Sequence, residues 1–113
     1  MGRLLDACKS VGGGNATFTW VDAAFLEEQK VAAWSDMPVW VSPTGDSAGF
    51  SRVSCSRAIA KGLTFRPVAA TVKDTLSWWK SQPKERQATL RSGIKPDREV
   101  EVLKTWHERK AAK

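Results

Sequence analysis

Tyrosine is absent from this 113-residue chain, histidine occurs once, and cysteine and methionine occur twice each. No apolar run approaches the roughly 20 residues needed to cross a bilayer. The N-terminus, with its single Arg3, has no long apolar stretch of the signal-peptide kind. A soluble cytoplasmic protein with no membrane partner is therefore expected. Cys8 and Cys55 lie far apart, in no metal or redox spacing, and His107 is the one further soft ligand on offer. No metal site is expected, and the two cysteines read as reduced, partly buried thiols.

Phosphate-cradling and acid–base motifs are also missing. There is no Gly-x-Gly-x-x-Gly between a strand and a helix, no Walker-type loop, and no His/Cys/carboxylate set with metal spacing. The Gly12-Gly13-Gly14 run precedes a strand-like segment, the wrong side for holding a pyrophosphate at a helix N-terminus, and reads as a helix stop. His107 sits in a final helical stretch prone to fraying, a poor place for the base of a nucleophile–base pair. Glu27 and Glu28 are adjacent on a helix and point in different directions, so they form no general acid/base pair and read as a solvated face. No catalytic residue is assigned.

The composition that is present, 42% hydrophobic and 27% charged, is that of ordinary globular proteins. At this length one modest core is the most that can form. A net charge of +6 with six tryptophans raises nucleic-acid binding, since cations neutralise phosphates and aromatic faces stack on bases. Residues 1–60 hold five Lys/Arg against six Asp/Glu, however, and residues 61–113 hold thirteen against six. The excess lies in a polar connector, Lys80 to Arg98, and at the end of the last helix, while Trp79 and Trp106 fall at apolar-stripe positions. A solvated surface explains the charge better than a nucleic-acid partner does.

Spacing predicts a helix from Arg3 to Val11, with Leu4, Leu5, Cys8 and Val11 on one face. Thr17 to Val21, rich in β-branched and aromatic residues, reads as a strand running into Asp22, the N-cap of a helix through Lys30. Pro38 to Val41 reads as a second short strand, Ser42 to Asp46 as a turn, and Gly49 to Cys55 as a third strand that would pair with it in a hairpin. A short helix capped by Ser54 or Ser56 runs through Lys61 and is closed by Gly62. Pro67 then introduces a longer helix to about Lys80, with Val68, Val72, Leu76 and Trp79 as its stripe and Trp78 off that face. Residues 81–95 are a polar connector, and Pro96 suits the first turn of a final helix, 96–112, acidic early and basic late.

Taken in order, these segments resemble the C-terminal part of the extended short-chain dehydrogenase/reductases, the NAD-dependent epimerase/dehydratase family. The resemblance is carried by Phe18-Thr19-Trp20-Val21-Asp22 with Phe25-Leu26, by Met37 to Val41, and above all by Gly49-Phe50 through Ser56-Arg57-Ala58. It continues in Ala60-Lys61-Gly62-Leu63-Thr64-Phe65-Arg66-Pro67 and in Thr71 to Trp78, and the Arg98-Glu99 to Leu103 and Trp106 segment is similar to the tail of one bacterial subgroup. It spans nearly all of this chain but about the last third of such an enzyme. The order of five weak motifs carries it, and none is highly specific alone.

The resemblance implies an α+β chain of about five helices with one strand and a small β-hairpin, residues 1–113 forming a single partial domain, the substrate-side lobe. The dinucleotide fingerprint and the Tyr-x-x-x-Lys pair would lie in the preceding part of the enzyme, and a chain without tyrosine holds neither. NAD or NADP is implied for the intact enzyme and no cofactor for this chain alone, which would be non-catalytic, with the Rossmann part as its partner. The intact reaction would be hydride transfer at a carbonyl or hydroxyl carbon. Trp34, Trp40 and Arg52, in the loop and hairpin region, are the candidate substrate-binding residues, although the tryptophans also suit a core and Arg52 an edge-strand cation. The alternative is a stand-alone interaction module that self-associates or binds a protein; a basic nucleic-acid-binding protein ranks below both.

Overall fold

The computed structural model describes residues 1–112. Its α-helices are α1 (Gly2–Gly12), α2 (Ala23–Glu28), α3 (Ser56–Ala60), α4 (Val68–Ser81), α5 (Lys84–Ala88) and α6 (Pro96–Ala111), with a single 3-10 turn at Gly45–Ser47. The expected α+β architecture is not what forms. Thr17–Val21, Pro38–Val41 and Gly49–Cys55 are not strands, and the β-type pairing among the described residues is one isolated bridge, Ala33 to Met37.

The physical reason is that strand composition supplies faces but not a partner. An isolated strand leaves its N–H and C=O groups unpaired, and even a two-stranded hairpin is marginal in water. Instead of a ladder, residues 47–52 close successive local turns: Phe50 N–H donates to the Ser47 carbonyl at 3.0 Å and Arg52 N–H to that of Gly49 at 3.0 Å. The polar connector likewise contains α5, whose Gln87 N–H reaches the Pro83 carbonyl.

The chain divides into two compact units, Met1–Phe18 with Ser54–Leu90 and Thr19–Val53 with the segment from Arg91 on. In the first, α1 packs against α4. Gly13 ends α1 in the left-handed conformation, φ 65°, that glycine adopts at least cost. The helix stripes are only half covered: Leu5, Val11, Val72, Leu76 and Trp79 are half-buried, and no residue of these helices is fully buried. Arg86 lies over the Trp79 ring, 5.3 Å from its centroid. Ile59, Leu63, Phe65 and Trp78 stay exposed, and so do both thiols, Cys8 and Cys55, which were expected to be partly buried.

The second unit holds the core. Phe25 and Leu26 on α2, Val31 just after it, and Val102 and Trp106 on α6 are buried together, with Val21, Met37, Trp40 and Ile94 packed on them. Val102 and Trp106 are four apart and share one helical face, so α6 turns that face inward and leaves Val100 and His107 in solvent. Phe25 and Trp106 meet at 4.9 Å between ring centroids, tilted by 58°. Gly93 and Ile94 tie the approach to α6 to the earlier loop, donating to the Ser35 and Asp36 carbonyls at 2.8 Å each.

The accessible area is 9487 Å². Two self-sufficient domains of half this mass would together expose about 7,400 Å². Much surface therefore remains uncovered, and Trp20, Val53, Phe65 and Leu90 are among the large hydrophobic residues exposed in it. The charge is also unequally shared: the first unit holds nine Lys/Arg against three Asp/Glu, and the second nine of each.

Candidate functional site

The second unit's loop from Lys30 to Thr44 is where unusual backbone, aromatic side chains and a cavity coincide. α2 is closed by Lys30 N–H donating to the Glu27 carbonyl and Val31 N–H to that of Leu26. Val31 is buried and anchors the loop to the core. The Asp36 carboxylate then accepts from the Ala32 N–H at 2.8 Å, while Asp36 and Met37 N–H groups donate back to the Ala32 carbonyl. Trp34 N–H donates to the Trp40 carbonyl at 2.9 Å and closes the loop on itself.

This tight path requires left-handed backbone at three residues other than glycine: Lys30 (φ 55°), Trp34 (φ 67°) and Val39 (φ 64°). For a β-branched residue such as Val39 that conformation is a genuine outlier, and strain of this kind clusters at ligand sites.

A cavity of about 290 Å³ opens beneath the loop. Ala23 and Glu27 of α2, Val31, Ala33 and Trp40 of the loop, and Ser42 and Thr44 line it. The Ser42 and Thr44 hydroxyls are hydrogen-bonded to each other at 2.9 Å. A second cavity, about 200 Å³, lies against Phe25 and Trp106 on the other side of α2 and is already satisfied internally. Lys110 covers the Trp106 ring at 4.8 Å, and Arg109 lies 5.7 Å from the Phe25 ring while bonding Glu28 at 2.8 Å.

Of the three expected binding residues, Trp40 lines the larger cavity and is half-buried. Trp34 is joined to it through the backbone but turns its ring outward, 57% exposed, edge-on to Phe50 at 6.1 Å. Arg52 is exposed and makes no ion pair or side-chain hydrogen bond among the described residues. Glu27, expected to form a solvated face with Glu28, is exposed and lines the cavity together with Ser42 and Thr44, which were expected only in a turn. The adjacency of Glu27 and Glu28 was the available signal: neighbours on a helix diverge, and here Glu28 faces Arg109 while Glu27 faces the cavity. No protein-family model matches the chain, and no curated protein or solved structure matches it either.

Proposed function

We propose that this chain is a non-catalytic, cytoplasmic binding lobe: the substrate-side part of a reductase or epimerase of the extended short-chain dehydrogenase type, with the Trp40 cavity as its ligand wall. The observation that carries the reading is the uncovered apolar area. Ile59, Leu63, Phe65 and Val68 stand exposed within ten residues, in a unit that buries none of its helical residues. At about 25 cal/mol per Å², such surface favours a covering partner. The occupant that fits is the cofactor-binding part of the parent enzyme, and the surplus cations of this unit call for an acidic contact surface there.

The residues present do not fit a nicotinamide dinucleotide. The glycine triplet serves as the stop of α1, no Gly-rich loop joins a strand to a helix, and no step of the chemistry is assigned to this chain.

Two experiments test the reading. The DNA ahead of the Met1 codon is expected to encode, in frame, a Gly-rich loop and a Tyr-x-x-x-Lys pair; an in-frame stop there would overturn it. Co-expressed with such a cofactor-binding part, the chain should co-purify and its Leu63 to Val68 amides should exchange more slowly. Independent migration with unchanged exchange counts against it. The same uncovered area favours a second reading, a self-associating module, which light scattering would reveal as a concentration-dependent dimer.

A further inference from the structure

We propose that the cavity beside Trp40 binds a small organic ammonium group, the cationic head of an amine or a quaternary ammonium compound. This rests on the reading of that cavity as the lobe's ligand wall and names the chemistry it selects.

Glu27 is the one ionisable side chain lining the cavity. It is exposed and, like Glu85 and Glu99, has no ion-pair partner among the described residues, whereas Glu28, Glu101 and Glu108 are each paired with a cation of the chain. Trp40 is similarly unclaimed. The chain's own cations lie over Phe18, Phe25, Trp79 and Trp106, and none lies over Trp40. An unpaired carboxylate and an uncovered indole thus share one cavity. The ligand complementary to both is a cation: it meets the negative face of the ring and the charge of the carboxylate together.

The remaining walls agree. Ser42 and Thr44 hydroxyls supply acceptor oxygens, and Ala23, Val31 and Ala33 supply apolar contact for methyl or methylene groups on nitrogen. No Lys or Arg lines the cavity, so a phosphate or carboxylate ligand would face Glu27 with nothing to neutralise it. At about 290 Å³ the space is of the size that holds a compact head group. The Trp34 N–H to Trp40 carbonyl bond and the Asp36 carboxylate on the Ala32 N–H close the loop on itself, and closure of this kind lowers the ordering cost of binding.

The test is a pair of titrations of the full chain followed by amide and indole NMR signals, one with choline and one with its neutral carbon isostere, 3,3-dimethylbutan-1-ol. Choline should shift the Trp40 indole and the Ser42 and Thr44 amides, and the isostere should not, since roughly two- to thirtyfold in affinity rests on the cation–ring contact. Glu27→Gln should weaken choline about fivefold, and Glu28→Gln, which faces away from the cavity, should leave it unchanged. No shift with choline at tens of millimolar, or equal shifts with the isostere, would overturn the assignment. No cofactor-binding part is present in this assay. Failure here would remove the ligand class and leave the lobe reading standing, whereas failure of co-purification would do the reverse.

Discussion

The Arg98 guanidinium donates a 2.6 Å hydrogen bond to the backbone carbonyl of Gln29, sixty-nine residues away in sequence. Gln29 is the residue that closes α2, and the last carbonyls of a helix have no partner within it. A cation from α6 thus caps α2 and fixes the point from which the Lys30–Thr44 loop departs. The same guanidinium bonds Glu101 at 2.6 Å, which holds it in place.

Replacing Arg98 by Ala is expected to destabilise the second unit by about 1.5–3 kcal/mol, the usual worth of a hydrogen bond to a charged group. Lysine cannot hold both acceptors with a planar fork, so Arg98→Lys should recover only part of the loss. Urea unfolding of the two variants, compared with the parent chain, decides this; equal stability of all three would contradict the capping role.

Trp106→Ala removes the largest side chain of the small core and its tilted contact with Phe25. The expected cost is about 3–5 kcal/mol. Few other buried residues are available to take up the loss, so loss of cooperative unfolding, followed by tryptophan fluorescence and near-UV circular dichroism, is the predicted result. An unchanged transition would mean that this cluster is not the core.

Val39→Gly tests the strain in the loop. The left-handed backbone costs a β-branched residue about 1–2 kcal/mol, glycine gives back about 0.5–1 kcal/mol in lost chain entropy, and Val39 is 64% exposed, so little burial is forfeited. The melting temperature should therefore hold or rise. A clear fall would show that the Val39 side chain contributes something its surroundings do not indicate.

Cys8 and Cys55 are both exposed. Two thiols should react with a disulfide reagent in the absence of denaturant, at rates near that of a free thiol peptide. Protection of either one would show that its surface is covered in solution, and self-association would be the first explanation to examine.

Helix positions were legible in the sequence because their causes are local. The stripe Val72, Leu76 and Trp79, the stop at Gly13 and Pro96 at the start of α6 each act within a few residues of the backbone they shape, and α2 begins after Asp22 although that side chain makes no capping hydrogen bond. Strand composition at Thr17–Val21, Pro38–Val41 and Gly49–Cys55 was just as plain, yet no strand formed there, because a strand's hydrogen bonds depend on a second segment that composition does not name. Trp40 could be picked out as an aromatic residue off any helix stripe. Glu27 could not: its divergence from Glu28 was plain, but which of the two would be paired depends on where Arg109 sits, and the Glu28–Arg109 pair spans eighty-one residues. The sequence by itself determined the helices other than α5, the charge and the absence of a phosphate loop or tyrosine. Tertiary structure decided which face of α6 is buried and which of Glu27 and Glu28 is paired, since each depends on contacts between residues far apart in the chain.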